Sequence, residues 1–153
     1  MKKIFCFVLL LVSSLVFAAQ NPSYLLVQSA SGGTLVHEKG DQYTLTLRKV
    51  PHDVWFFTDR PERKSGTLKL EKFMGLWNST SSNFKQDPPN AAIALMNGNS
   101  EKVGMIASLN KPEQKDDSVI YHLTKISKPD IPTGDFNQVI LFIDNVQWGP
   151  GGL

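Results

Sequence analysis

Short apolar segments recur along the chain between clusters of Gly, Pro, Asn and Asp, a pattern typical of an all-β protein. The clearest segment is residues 43–48, where apolar and polar side chains alternate. A period of two places the apolar side chains on one face of a strand, so this strand is predicted to be half buried. About eight strands are predicted, at residues 24–29, 34–37, 43–48, 54–58, 91–96, 102–109, 118–126 and 138–144.

Two of these segments consist of consecutive large apolar residues. They are residues 54–57, which read VWFF, and residues 139–143, which read VILFI. A strand with large apolar side chains on both faces is expected to be covered on both sides. The two runs are therefore predicted to form the middle of the core.

Residues 67–77 depart from the β pattern and predict one short amphipathic helix. Ser65 or Thr67 is the predicted cap at its start. The apolar residues at helical spacing are Leu70, Phe73, Met74 and Trp77. Together with the strands, this helix predicts a single-domain antiparallel β-sandwich that spans residues 19–153.

The first eighteen residues have the features of a secretory signal peptide. A basic start precedes an apolar run at residues 4–12, and Ala18 and Ala19 supply small residues where a signal peptidase would cut. Cleavage is predicted after Ala18, because Val16 and Ala18 then occupy the two positions whose side chains must fit small pockets in the peptidase. Two serines interrupt the apolar run well before the roughly 18 apolar residues that an uncleaved membrane anchor needs. The sequence therefore predicts an exported protein, periplasmic or extracellular, with no stable membrane insertion after cleavage.

Cleavage also changes the charge of the chain. The full sequence has 16 Lys and Arg against 14 Asp and Glu, and the signal carries Lys2 and Lys3 with no acid. The mature chain is therefore formally neutral and has no basic excess to hold a phosphate backbone, which argues against a nucleic-acid partner. Neutrality favours association over self-repulsion, but whether the chain self-associates stays open.

The residue types of the mature domain exclude several kinds of chemistry. Cys6 is the only cysteine and lies in the signal, so thiolate metal sites, disulfides and thiol nucleophiles are not expected after cleavage. His37, His52 and His122 lack a spacing that indicates zinc, and there is no G-x-S-x-G motif. No metal and no cofactor is predicted.

The richest cluster of charges lies where the strand at residues 54–58 runs into a loop. Arg60 and Arg63 offer planar donors that match a carboxylate or phosphate. Alternatively, Asp59 and Glu62 neutralise them and the cluster only ties the loop to the sheet. Separately, Trp148 lies among glycines and a proline near the end of the chain and is predicted to be exposed, where its flat ring would pack on a sugar or a peptide.

Several segments resemble a family of small exported bacterial proteins of unknown function. The matching segments are YLLVQ at 24–28, FTDRPER at 57–63 followed by Gly66, DPPNA at 87–91 and LFID at 141–144, with Phe73 and Trp77 in the predicted helix. The resemblance brings no established activity. It does imply that Asp59, Arg60 and Arg63 belong to the family pattern.

These observations favour a non-enzymatic binding module for an envelope or host protein or glycan, with Asp59, Arg60, Arg63 and Trp148 as its candidate contacts. One alternative is a small hydrolase of envelope or host material that uses loop carboxylates, which requires a cleft with two carboxyl groups roughly 5 to 9.5 Å apart. Another is a structural subunit that adds a strand to a partner's sheet, which predicts an uncovered edge strand.

Overall fold

The computed structural model describes residues 23–59, 63–79, 84–98, 101–128 and 130–147. Within these residues the chain is mainly antiparallel β-structure with one short α-helix, which confirms the all-β prediction. The strands are β1 (Ser23–Ala30), β2 (Gly33–Lys39), β3 (Gln42–Leu47), β4 (Asp53–Thr58), β5 (Ser65–Lys69), β6 (Asn90–Asn97), β7 (Glu101–Leu109), β8 (Glu113–Lys115), β9 (Ser118–Lys125), β10 (Gly134–Phe136) and β11 (Gln138–Gln147). The described part thus has eleven strands rather than about eight, and the three that the sequence did not predict are the short β5, β8 and β10.

The strands form one hydrogen-bonded sheet that folds over itself. Their order is β10-β2-β3-β9-β7-β6-β11-β1-β4-β5, with β8 beside β9. In a flat sheet, four spacings of about 4.8 Å would separate β9 from β1. Instead, the Tyr121 hydroxyl on β9 lies 2.6 Å from a side-chain oxygen of Gln28 on β1. The two layers of the predicted sandwich are therefore halves of a single sheet, with the core between them.

A long antiparallel ladder joins the first two strands to the last two. Ala30 on β1 pairs with Val139 on β11, and Gly33 on β2 pairs with Phe136 on β10. Gly33 lies three residues after Ala30, and Phe136 lies three residues before Val139. The register therefore continues through the bend at Ser31 and Gly32. The bend lets one pair of chain segments serve both halves of the sheet.

A polar cluster holds the β2 end of this ladder. The Arg48 guanidinium on the chain leaving β3 donates to Thr34 on β2 and lies 3.3 Å from the Asp135 carboxylate on β10. The Thr34 hydroxyl donates to the same carboxylate at 2.5 Å. The hydroxyl, and then the guanidinium, hold the pKa of Asp135 below its ordinary value.

The helix begins later than the sequence predicts. The helix α1 (Leu70–Gly75) is followed by a 3₁₀ turn at Leu76–Asn78. Residues 67–69 belong instead to β5, where Thr67 pairs with Trp55 on β4. The helix start at Lys69 has no side-chain cap, so the predicted capping by Ser65 or Thr67 is wrong. Pairing with β4 satisfies the hydrogen-bonding groups of this backbone, which a helix would have satisfied internally.

The helix and the 3₁₀ turn supply the aromatic part of the core. Phe73 and Trp77 are buried with ring centroids 5.3 Å apart, and Phe84 lies 4.8 Å from Trp77. The Trp77 indole donates to the Leu109 carbonyl oxygen at 3.3 Å. These contacts cover the inner face of the sheet.

In the described residues, no helix has the length and apolar character to cross a membrane.

The two apolar runs are covered on one face only. Val54, Val139 and Leu141 are fully buried, as predicted. However, Trp55 is 60% exposed and Phe142 is 40% exposed, so the predicted cover on both sides is wrong. An antiparallel sheet needs only one face on the core, and no described element packs on the other face of these strands.

Candidate functional site

A row of apolar side chains crosses the outer face of five neighbouring strands. The ladders pair Trp55 on β4 with Val27 on β1, and Val27 with Phe142 on β11. They continue from Phe142 to Ala92 on β6 and from Ala92 to Ile106 on β7. Directly opposite residues share one face of a sheet and lie about 5 Å apart. The five side chains therefore form a continuous band, which we call the outer apolar row.

Apolar residues extend this row on both sides. Phe57 pairs with Leu25 at one side, and Ile140, Ala94 and Gly104 pair in sequence at the other. We call the row and these neighbours the outer apolar face. Its members are Leu25, Val27, Trp55, Phe57, Ala92, Ala94, Gly104, Ile106, Ile140 and Phe142.

Charged side chains lie at the margin of this face and not within it. Asp53 and Asp59 follow the alternation of Trp55 along β4, and Asp144 follows that of Phe142 along β11. Asp53 is held by Lys69 at 2.8 Å. An apolar centre with a charged margin is the anatomy of a protein-binding surface.

The face is uneven, with a ridge at β4 and a hollow above β6 and β7. Trp55, at 60% exposure, forms the ridge. The hollow has a volume of about 330 Å³, and its lining includes Ala92, Ala94 and Gly104 together with the larger Phe142. The hollow is open to solvent, and a Cβ atom added to Gly104 would meet nothing within 4 Å.

The predicted charge cluster adjoins this face. Trp55, Phe57 and Asp59 alternate along β4 and its extension, so all three lie on the outer side. Asp59 and Arg63 are both exposed, and the Arg63 amide donates to the Asp59 carbonyl oxygen at 3.0 Å. The structure thus brings these two predicted residues together. Arg60 and Trp148, the other two, lie outside the described residues, as does Glu62.

Thr58 anchors the loop that carries Asp59 and Arg63. It is only 5% exposed, and its hydroxyl oxygen accepts a 2.9 Å hydrogen bond from the Lys64 amide. The Thr58 amide in turn donates to the Lys64 carbonyl oxygen at 2.8 Å. Arg63 has a positive φ of 48°, which turns the chain back into β5. The ladder between β4 and β5 therefore continues into the loop and fixes where it leaves the sheet.

Carboxylates and imidazoles are dispersed in the described part of the chain. Asp59 and Asp144 lie at the margin of the outer face, on different strands. Among the described residues, no three His, Cys, Asp or Glu side chains come together as they would to hold a metal ion. The hydrolase alternative, which requires two carboxyl groups and not three metal ligands, stays a hypothesis.

Strand β5 ends the sheet in the described residues, which matches the edge required by the strand-addition alternative. It has five residues, and its exposed Lys69 pairs with Asp53. Short length and lysine are features by which natural sheets protect their edges. The edge is therefore a weaker candidate for binding than the outer apolar face.

Sequence reasoning missed the outer apolar face because it assigned both faces of the two apolar runs to the core. The signal that could have found it is the antiparallel character of the sheet, which requires only one buried face. Comparisons with protein-family models, with curated proteins and with solved structures found no match to this chain.

Proposed function

We propose that this protein is an exported, non-enzymatic binding module that contacts a protein partner through the outer apolar face. The observation that carries the proposal is the outer apolar row, which runs without a charged residue from Trp55 to Ile106. The signal-like first eighteen residues support export to the periplasm or beyond the cell.

The size of the exposed apolar area supports this proposal. Trp55, Phe57, Ile106 and Phe142 are each between 40% and 60% exposed. With about 200 Å² for a large side chain, these four and their smaller neighbours expose roughly 500 Å². The largest apolar patch on a soluble monomer is typically about 300 to 600 Å² and is often functional. This face lies at the upper end of that range.

The chemistry of the face favours a protein over a glycan. Recognition of a polar ligand depends on placed hydrogen-bonding groups, and the outer apolar face offers almost none. Asp59 and Arg63 lie at one end, where rim charges set orientation and association rate more than affinity. They are therefore assigned a supporting role beside Trp55 and Phe57.

The test is a capture experiment with the mature chain from Ala19, using purified protein and envelope and host-cell extracts. The double variant Trp55→Thr, Phe142→Thr removes the centre of the face. Val36→Thr is the matched control, because Val36 is 46% exposed but lies on β2, outside the face.

A protein retained by the wild type and by Val36→Thr, and lost by the double variant, is the expected result. Retention of the same protein by the wild type and both variants would contradict the proposal. So would a wild type that binds no protein at all, not even a second copy of the chain. A substitution of Arg63 by Ala is expected to slow association without abolishing it.

A further inference from the structure

We propose that the partner bound by the outer apolar face is a second copy of this chain, in a symmetric dimer. In this dimer, Trp55 of each copy packs into the hollow above Ala92, Ala94 and Gly104 of the other. The inference rests on the proposed function, in that it requires the outer apolar face to bind protein.

The first argument is that the ridge and the hollow lie on the same face, on opposite sides of β1 and β11. Strand β4 is three spacings from β6 and four from β7, which is about 14 to 19 Å. A two-fold axis that runs along the strands between Val27 and Phe142 exchanges β1 with β11 and β4 with β6. Each Trp55 then faces the hollow of the other copy, and one complementary contact is made twice.

The second argument is the fit between the parts. The hollow of about 330 Å³ has small residues and the larger Ile106 and Phe142 in its lining, so an indole ring entering it meets apolar atoms and an aromatic neighbour. Tryptophan is one of the residue types enriched at the energetic centre of interfaces, where such side chains fill well-packed pockets. A foreign partner would need only one of the two shapes, whereas a second copy uses both.

The third argument is area. A standard interface buries about 800 Å² on each partner, of which roughly 56 to 65% is apolar. That requires about 450 to 520 Å² of apolar surface per copy, which the outer apolar face supplies. Two antiparallel sheets also pack face to face at about 10 Å, as in a β-sandwich.

The fourth argument is charge. The outer apolar face carries no charged residue, so no like charges meet at the centre of a symmetric contact. The carboxylates of Asp53, Asp59 and Asp144 lie at its margin, and Asp53 is paired with Lys69. The mature chain, with equal numbers of acidic and basic side chains, adds no net repulsion between copies.

The test is sedimentation of the mature chain across a wide range of concentration. Trp55→Ala removes the ridge, and Gly104→Phe fills the hollow. The second change is expected to leave the fold intact, since a Cβ atom at Gly104 meets nothing within 4 Å and Gly104 has no positive φ. Val36→Ala is the matched control, and circular dichroism checks that each variant is folded.

Wild type and Val36→Ala are expected to form dimers. Each of the other two variants is expected to raise the dissociation constant of the dimer by at least about tenfold. A mixture of Trp55→Ala with Gly104→Phe is expected to restore association. In such a pair, the intact Trp55 enters the open hollow, and the filled hollow faces the small residue at position 55.

A wild type that stays monomeric at every concentration overturns the inference, as does a dimer that neither variant weakens. Failure of the mixture to associate overturns the ridge-in-hollow arrangement. A monomeric wild type that captures a different protein in a Trp55-dependent manner removes this inference and leaves the proposed function standing. A monomer that captures nothing removes both.

Discussion

The Tyr121 hydroxyl on β9 donates a 2.6 Å hydrogen bond to the side-chain oxygen of Gln28 on β1, across the interior of the folded sheet. Both residues are almost fully buried. The Gln28 amide nitrogen is buried too, and it has no hydrogen-bond partner among the described residues. This pair is a polar link between the two halves of the sheet, surrounded by apolar side chains.

Removal of one partner from this link is expected to destabilise the fold more than removal of both. Tyr121→Phe leaves the Gln28 oxygen buried without a donor, which costs about 1 to 3 kcal/mol of unfolding free energy. Combining it with Gln28→Leu removes both polar groups, and the double variant is expected to be at least as stable as Tyr121→Phe alone. Urea unfolding of the two single variants and the double variant measures the coupling. Strictly additive losses would show that the two groups do not interact.

The same tyrosine makes stability fall at alkaline pH. Burial raises the pKa of Tyr121 well above its ordinary value of 10.0, and the hydrogen bond to Gln28 only partly opposes this. In the unfolded chain the phenol ionises near pH 10, whereas in the folded chain it stays neutral. Its contribution is therefore complete below about pH 10 and declines as the pH rises further. Between pH 8 and pH 12, the free energy of unfolding should decline less steeply for Tyr121→Phe than for the wild type.

Two glycines in strands are expected to respond oppositely to alanine. A Cβ on Gly33 would lie 2.6 Å from a methyl carbon of Val139 and 3.2 Å from the Thr46 carbonyl oxygen. Gly33→Ala is therefore expected to cost about 1 to 3 kcal/mol. A Cβ on Gly104 meets nothing within 4 Å, so Gly104→Ala is expected to stabilise the fold by up to about 1 kcal/mol. Thermal unfolding of both variants is the measurement, and equal effects would contradict the close approach at Gly33.

The loop next to the outer apolar face depends on one hydroxyl group. Thr58→Val keeps the shape of the side chain but leaves the Lys64 amide without the oxygen that it bonds to at 2.9 Å. We expect a loss of about 1 kcal/mol and faster hydrogen exchange at the Arg63 and Lys64 amides. Thr58→Ser retains the hydroxyl and should leave both exchange rates near those of the wild type. Unchanged exchange in Thr58→Val would show that the backbone pairing alone holds the loop.

Strand positions were predictable because alternation and turn residues are local signals. All eight predicted segments are strands, and Gly98, with a φ of 59°, lies in the predicted turn between β6 and β7. The three missed strands are short and depend on partners that a local pattern does not contain. Residues 67–69 show this, because pairing with β4 overrides the helical periodicity.

The candidate site was only partly predictable. Asp59 and Arg63 were identified from their residue types, and the position of Asp59 beside Phe57 follows from alternation along β4. The outer apolar face was not identified, because a tryptophan or phenylalanine in an apolar run has the same sequence signature in a core and on an exposed face. Only the strand order reveals that Trp55, Phe142 and Ile106 share one row.

The ladder between β1 and β11 also sets the order of events when the chain is made. Ala30 pairs with Val139, about 110 positions later in the chain. Until the ribosome has released the last strand, β1 lacks one of its two neighbours and the sheet cannot be completed. Such distant pairing is slow to form, because closing the long loop costs chain entropy before any contact between the strands can offset that cost. The long ladder therefore makes completion of the sheet an event that follows synthesis of the last strand, which is compatible with the export that we propose.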